Sequence, residues 1–441
     1  MKESENKRTA ADAGWRLSRY NLSIPNPDGE GLLIANTYRK KCDVYTPLEC
    51  YMLSVVEELD EDHPIIRYFA KRGVITRMDE RAMLEARGRV ACRGQYRVSM
   101  TICPTMGCNF DCPYCFEDHR AGRMSEQVQD DVVALAGRLL KAAKADRLSV
   151  TWFGGEPLLA PDIIASLSER LKAVAAEHSA EYHAGIITNG YLLSQETADL
   201  LRRASVKNAQ ITLDGLGAKH DATRHLAGGG PTFDRVVENL RTVKLPFTVS
   251  IRHNVHTDNL QEMKPLEDFV KELSRDSGNE LLYYPAVVQD SEAADRRDSQ
   301  VEVLCDSSAG EIDVIRATKR EERMRSHYCG ANLLYSVGVD EKGNLQKCWE
   351  DVDKPERSFG RASVWDPAMP FRTADHPDRL TSYLNTAPPL DDPECRECVW
   401  LPACLGGCPS RRLHSHRVCV AYKNEPEKYV LALYRQNKET V

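Results

Sequence analysis

Cys108-Asn109-Phe110-Asp111-Cys112-Pro113-Tyr114-Cys115 sets three thiols at a Cys-x3-Cys-x2-Cys spacing, with an aromatic ring directly before the last. The count of thiols carries the chemistry. A structural zinc ion, or an iron–sulfur cube held wholly by protein, takes four protein ligands. Three thiolates on one short loop leave one iron of a [4Fe–4S] cube open. The amine and carboxylate of an amino acid can chelate that iron. The competing reading is a zinc loop that borrows a distant fourth ligand.

Outward from the loop, strand and helix patterns alternate. Ser99–Ile102 is a β-rich run entering it, and Ser125 is a helix N-cap candidate after it. Val128, Val132, Leu135 and Leu139 then mark one helical face. Apolar runs follow at Leu148–Phe153, Gly185–Thr188, Ala209–Leu213, Thr248–Val255 and Leu281–Val288. Such alternation predicts parallel βαβ units, about six between Ser99 and Gln289. Several strands end in a polar motif: Gly154-Gly155-Glu156-Pro157, Thr188-Asn189-Gly190, Asp214-Gly215. The C-terminal ends of strands are where α/β barrels place their active sites.

Taken in order, the Cys loop and these motifs resemble the radical S-adenosylmethionine (SAM) enzymes. The fold this implies is α/β: a partial (β/α)6 TIM-like radical SAM barrel over residues 96–290. The resemblance implies that Cys108, Cys112 and Cys115 hold a [4Fe–4S] cluster whose open iron binds SAM. One electron then breaks a C–S bond of the sulfonium and yields a 5′-deoxyadenosyl radical; a flavodoxin- or ferredoxin-type donor is the implied electron source. It further implies that Gly154, Gly155 and Glu156 hold the SAM amine through backbone carbonyl and carboxylate, that Thr188, Asn189 and Thr212 lie near ribose and methionine, and that Arg252 and Asn254 meet the SAM carboxylate. An Arg fork suits a carboxylate. Tyr114 matches the aromatic beside the adenine, with core packing as its alternative; for Arg252 the alternative is a surface ion pair.

The cysteine count of fifteen, with no signal peptide read at the N-terminus, argues against a disulfide framework. Ten of them fall into two groups, the loop and a set after residue 328. That second set runs Cys329, Gly343-x4-Cys348, Cys395-x2-Cys398-x5-Cys404-x3-Cys408, Cys419. It resembles the seven-cysteine SPASM pattern, which would make residues 329–425 a Cys-rich SPASM domain. Carried over, Cys395, Cys398, Cys404 and Cys419 ligate one auxiliary [4Fe–4S] cluster. Cys329, Cys348 and Cys408 hold the other, either with an open site or with Cys305 as fourth ligand. The total is then three clusters. A zinc module is the competing reading. Cys42, Cys50, Cys92 and Cys103 read as buried thiols.

Ahead of the barrel, residues 15–95 read as a small α+β domain: a hairpin of Tyr20–Ile24 and Leu32–Ala35, a helix from Pro47, a second near Ile65–Arg72, a short strand at Val74–Thr76 and a third helix near Asp79–Arg87. This resembles the leader-peptide recognition elements of peptide-modifying radical SAM enzymes, which take a precursor's leader as an added strand; a structural cap is the alternative. Residues 1–14 read as a disordered tail, 291–328 as a bridge and 426–441 as a final helix. His220 and Arg224 either contact substrate or brace their loop, and the Gly228–Gly230 run lacks the Gly-Lys-Ser/Thr of a phosphate loop. Tyr283, Tyr284, Trp349 and Glu350 are candidate site-lining residues.

A net charge of −7 gives no footprint for nucleic acid, and no apolar run approaches a membrane span, so neither is an expected partner. Reduced thiols and oxygen-labile clusters point to the cytoplasm. The expected function is a peptide maturase: hydrogen abstraction from a ribosomally made precursor, then oxidative closure to a thioether or carbon–carbon cross-link. The alternatives are anaerobic sulfatase maturation, whose members carry an Asp where this chain has Trp349, a decarboxylating peptide maturase, and a non-enzymatic iron–sulfur electron carrier.

Overall fold

The computed structural model describes residues 14–94, 97–287, 327–415, 417, 419, 423 and 426–439. Cys305, nearly all of the expected bridge and the expected tail up to residue 13 lie outside these. The described residues fall into two compact units. One is drawn from Met1–Cys92, Glu321–Tyr328 and Asn385–Val441, the other from Arg93–Arg320 and Cys329–Leu384.

In the first unit, β1 (Arg16–Leu17) pairs antiparallel with β5 (Ile75–Thr76). Strands β2 (Asn21–Pro25), β3 (Leu32–Asn36) and β4 (Lys41–Tyr45) form a three-stranded antiparallel meander. Of these, β4 had no counterpart in the sequence reading: Lys41-Cys42-Asp43-Val44-Tyr45 is too polar to stand out alone, and pairing with β3 supplies what its composition lacks. Helix α1 (Pro47–Ser54) opens on a capping box, with Thr46 Oγ1 accepting from Glu49 N at 3.3 Å and the Glu49 carboxylate accepting from Thr46 N at 2.7 Å. Helices α2 (Pro64–Arg72) and α3 (Glu80–Arg93) follow.

Period-two alternation sends neighbouring residues of the meander to opposite faces. Leu33 and Ala35, with Ile24 and Cys42, pack against Trp400, Tyr429, Val430 and Leu433. Ile34 and Tyr45 pack instead with Leu53, Val56, Ile66 and Phe69 of the α1–α2 region. The sheet is thus covered on both faces, one of them by the helix Pro426–Glu439. This grouping cuts across the segments expected from the sequence. The N-terminal element shares a core with residues from the far end of the chain, which no local pattern records.

The second unit carries six parallel strands, β6 (Arg97–Ile102), β7 (Arg147–Trp152), β8 (Glu181–Thr188), β9 (Val206–Thr212), β10 (Thr248–Val255) and β11 (Leu281–Val287), adjacent in that order. Helices α4 (Glu126–Ala143), α5 (Pro161–Glu177), α6 (Gln195–Arg203), α7 (Ala218–Thr223), α8 (Phe233–Thr242) and α9 (Met263–Ser277) connect them. Ser125 caps α4, its hydroxyl accepting from Val128 N at 3.3 Å. One sheet face, with Val98, Met100, Leu148, Val150, Ile186, Ile211, Val249 and Ile251, lies in the main core. The opposite face carries partly exposed Ser99, Thr101, Ser149, Thr151, Gln210 and Arg252. A polar, half-open face beside a helix-packed one is what a ligand-lined α/β sheet needs.

Residues 329–384 join this sheet. Strand β12 (Ser336–Val339) runs parallel to β6, in register Ser336↔Ser99 to Val339↔Ile102, and continues antiparallel into β13 (Asn344–Gln346) and β14 (Gly360–Arg361). The free edge of β6 is satisfied from a distant stretch, so the expected segment 329–425 is divided at Leu384. Among the described residues no helix is long and apolar enough to cross a membrane.

Candidate active site

The loop after β6 is fixed by close backbone approach. Glu156 N donates to Gly107 O at 2.9 Å. A Cβ on Gly155 would stand 2.4 Å from Gly107 O, and one on Gly154, whose φ is +103°, 2.2 Å from Thr105 O. Both glycines are required by that contact. The Gly-Gly-Glu segment therefore lies directly against the start of the three-cysteine loop. The loop is tied again through Asn109, which accepts from Asn189 Nδ2 at 2.8 Å and, at its carbonyl, from Ala227 N at 2.9 Å. Phe110 meets Tyr191 edge-on at 5.9 Å.

Within the loop, Cys112 is buried and Cys108 and Cys115 are partly so. Phe110 N donates to Cys108 Sγ at 3.4 Å. Burial pushes the Cys108 thiol up to about 12, so it is neutral unless a cation sits beside it. His119 Nε2 lies 3.5 Å from Cys115 Sγ, and ligand atoms of Cys115, Glu117 and His119 lie within 4.8 Å of one another. Sequence reading did not single out His119 or Glu117, because neither adds to the thiol spacing.

Glu156 is fully buried and accepts from Leu158 N at 2.9 Å, Thr188 Oγ1 at 2.7 Å and Asn189 N at 2.7 Å. Its carboxylate thus locks the end of β8 onto the end of β7. Burial raises its pKa and these three bonds oppose the rise. The three sequence motifs Cys-x3-Cys-x2-Cys, Gly-Gly-Glu and Thr-Asn meet in one place.

Tyr114 is held at its hydroxyl. It donates to the Asp214 carboxylate and accepts from Arg224 Nη1 at 2.8 Å and Asn254 Nδ2 at 3.2 Å. Asn254 N in turn donates to Asp214 Oδ1 at 3.1 Å, and Arg252 Nε donates to Asn254 Oδ1 at 2.6 Å. Arg252 and Asn254 lie two apart on β10 and so share a face, with Thr212 in register with Arg252 on β9. No carboxylate pairs with Arg252 among the described residues. The residue that the sequence motifs do not single out here is Asp214, which they mark only as the end of a strand; Arg224, a candidate for substrate contact or for bracing its loop, holds the Tyr114 hydroxyl. Arg224 is buried, with its guanidinium 5.7 Å from the Phe110 ring. His220 is a brace: Asp214 N donates to its Nδ1 at 3.3 Å and its Nε2 bonds Thr232 Oγ1 at 3.0 Å.

Of the other expected lining residues, Tyr283 bonds His253 Nδ1 at 3.0 Å and Tyr284 bonds Gln210. Trp349 is 47% exposed and stacks on Phe153 at 6.0 Å, which stacks on Phe116 at 6.3 Å. Each ring of this ladder adjoins a motif residue: Cys115, Gly154 and Cys348. Cys42, Cys92 and Cys103 are buried as expected, whereas Cys50 is only partly buried, at the exposed first turns of α1.

The C-terminal cysteines divide between the units. Cys395, Cys398, Cys404 and Cys419 line one cavity of the first unit together with Arg412, Arg417 and Lys423. Gly406 N donates to Cys404 Sγ at 3.3 Å, and Arg412 Nη2 to Cys395 Sγ at 3.3 Å. Four thiols, N–H donors aimed at sulfur and a cationic lining fit an anionic thiolate-bound metal centre. Cys408 caps the short helix Pro409–His414 in the same unit. Cys329 and Cys348 belong to the second unit, where burial raises the Cys348 thiol well above its ordinary value and Cys329 adds to the rise.

Residues 102–270 match the family model of the radical SAM superfamily, and the chain carries a radical SAM domain there. That domain implies SAM and a [4Fe–4S] cluster. The chain is 27% identical over 175 residues to the AdoMet-dependent heme synthase of Methanosarcina barkeri, covering 38% of this chain and 46% of that protein. It is 24% identical over 170 residues to the PqqA peptide cyclase of Gluconobacter oxydans, covering 38% and 44%. These alignments span about half the length of the relatives. Among solved structures, native anSMEcpe with bound AdoMet and Cp18Cys peptide superposes with a TM-score of 0.56 at 19% identity, over 77% of this chain and 97% of that one. Streptococcus suis SuiB bound to precursor peptide SuiA gives 0.51 at 15% identity, over 89% and 95%. The fold of the chain is theirs.

Proposed function

We propose that this chain is a radical SAM peptide maturase that removes hydrogen from a ribosomally made precursor and closes an oxidative cross-link, a thioether or a carbon–carbon bond. The observation that carries the reading is the locking of the three-cysteine loop onto Gly154-Gly155-Glu156. It sets a loop of three thiols, one ligand short of a closed iron–sulfur centre, against the backbone of the Gly-Gly-Glu segment, whose carbonyls would suit an amine. Cys108, Cys112 and Cys115 would hold the cluster; Gly154, Gly155 and Glu156 the SAM amine; Arg252 and Asn254 its carboxylate; Thr188, Asn189 and Thr212 the ribose and methionine side; Tyr114 the adenine. When bound, cluster and SAM supply a 5′-deoxyadenosyl radical, and the chain's own part is to position the peptide and keep water out. The Glu156 carboxylate accepts from Leu158 N, Thr188 Oγ1 and Asn189 N, two bonds on Oε1 and one on Oε2, and a carboxylate has about four acceptor positions, so it keeps capacity for the amine beside the backbone oxygens.

The likeness to a peptide cyclase and to two peptide-bound structures supports a peptide substrate. So does the meander of the first unit. Both its faces are covered, which leaves its edges, and β2 ends in Pro25, a residue without a backbone donor. The β4 edge, flanked by exposed Val44, Leu48 and Tyr51, is the place for an added leader strand. The cavity of Cys395, Cys398, Cys404 and Cys419 would hold one auxiliary cluster, and it is the sequence resemblance that assigns Cys329, Cys348 and Cys408 to the other. Sulfatase-type maturation is disfavoured, because Trp349 stands where that chemistry keeps an acid and its ring is stacked on Phe153.

The test is anaerobic co-expression with candidate precursor peptides, short Cys-containing reading frames taken from the surrounding genomic sequence, followed by intact and fragment mass spectrometry. Loss of two hydrogens per site, one as an atom and one as a proton plus an electron, with fragmentation blocked between two residues, is the expected result. An unchanged peptide in the presence of active SAM cleavage would overturn the cross-linking assignment.

A further inference from the structure

We propose that Arg412 is a positioning residue that orients Cys395 and raises the reduction potential of the iron–sulfur centre built on Cys395, Cys398, Cys404 and Cys419. The proposal rests on the auxiliary-cluster reading of that cavity. Arg412 is the best-fixed cation of the cavity wall, its side chain only 13% exposed. Its Nη2 donates to Cys395 Sγ at 3.3 Å and to Gly406 O at 3.0 Å, while Nη1 donates to Asp392 Oδ2 at 2.9 Å. A planar fork serves three acceptors at once, which an ammonium cannot do in the same plane.

Asp392 makes the arrangement rigid. Its Oδ1 accepts from Glu394 N at 3.0 Å and Cys395 N at 3.2 Å, so it caps the turn that carries Cys395 while its other oxygen holds Arg412. Arg412 also lies one turn after Cys408, its backbone N–H donating to Cys408 O at 3.1 Å. One residue thereby connects the stretch bearing Cys408 to the sulfur of Cys395. The other two cations are placed differently. Arg417 is 29% exposed and turned to Asp392 and Glu394, and Lys423 is 33% exposed, paired with Glu394, with Nζ 4.0 Å from Cys419 Sγ.

One-electron reduction adds a negative charge to a thiolate-ligated cluster. A partly buried cation and an N–H donor at the ligating sulfur favour the state with more charge, and so raise the potential. Removing them moves the potential down.

The experiment compares anaerobically reconstituted full-length wild type, Arg412→Gln and Arg412→Lys by iron analysis and EPR-monitored redox titration, with Cys404→Ala as the control. Cys404→Ala should lower the iron content by about one cluster, roughly four irons; unchanged iron there would sink the auxiliary-cluster reading itself. Given that control, Arg412→Gln should move one midpoint to more negative potential with iron content unchanged, and Arg412→Lys should move it less. The signal that responds to added SAM should stay where it is. Midpoints identical to wild type in both variants would overturn the proposal, as would loss of the centre in both, which would leave Arg412 purely structural.

Discussion

Gly155 shows how a single hydrogen in place of a methyl sets the geometry of this site. A Cβ there would press on Gly107 O, Gly107 C and Met106 O, all at or below 2.6 Å and all backbone, so no side chain can swing away to relieve it. Gly155→Ala should therefore displace the cysteine loop, cost on the order of 1–3 kcal/mol of stability and abolish SAM-bound cluster signals in EPR; a variant with wild-type SAM cleavage would show that the contact is dispensable. Cys112→Ala should abolish formation of 5′-deoxyadenosine from SAM and dithionite, and retained cleavage would refute the ligand assignment. The buried histidines make a pH prediction. Burial lowers His220 and His253 to about 4, against an ordinary value of 6.5. Between those values the unfolded chain binds a proton that the folded chain refuses, so stability is full above about pH 6.5 and falls as pH drops toward 4. Urea midpoints measured anaerobically at pH 7.5 and 5.0 should differ accordingly, and less so in His220→Gln.

At the scale of elements, the β4 edge and the helix Pro426–Glu439 carry distinct consequences. Val44 and Leu48 are exposed apolar residues beside a strand edge that is unpaired among the described residues. If a leader adds there, Val44→Asp with Leu48→Asp should weaken precursor binding by about tenfold or more, an interaction loss of roughly 1.4 kcal/mol or greater, and leave SAM cleavage without peptide unchanged. Calorimetry with the synthetic leader decides it, and equal affinity would return the meander to the role of a cap. Tyr429 is buried and meets Trp400 edge-on at 4.6 Å. Tyr429→Ala should cost about 3–5 kcal/mol in denaturant unfolding, because the core it leaves belongs equally to the meander and to the last helix. A loss below about 1 kcal/mol would mean that the helix is a surface addition.

For the molecule as a whole, the division into units is the consequential fact. The meander and the Cys395 cavity share one compact unit, and Tyr20 and Leu84 pack in a cluster with Cys395 and Leu401. The meander and the four-cysteine cavity lie in one body, so a defect in one should register in the other. The parallel strands β6 to β11 and the helix α4 were legible beforehand, and the resemblance to a family supplied the expectation that the Cys loop and Gly-Gly-Glu serve one site. Their signals are local: apolar runs of strand length, helical periodicity, and glycines where backbones touch. The β12–β14 extension and β4 were not legible, since short strands with few apolar residues acquire their structure from the edge they pair with.

The chain's residues by themselves determined the chemistry available to it: three thiols on one loop, glycines that admit a neighbouring backbone, polar residues at strand ends, and a second set of closely spaced cysteines near the C-terminus. Only the tertiary structure decided the partners. It directed the Glu156 carboxylate to Thr188 and Asn189 and made Asp214 and Arg224 the anchors of the Tyr114 hydroxyl. It also set the last helix on the meander and brought Arg412 to the sulfur of Cys395. The reason is physical. Spacing and periodicity report interactions between residues a few positions apart, whereas these contacts join residues 17 to several hundred positions apart, and only the folded chain brings them within reach.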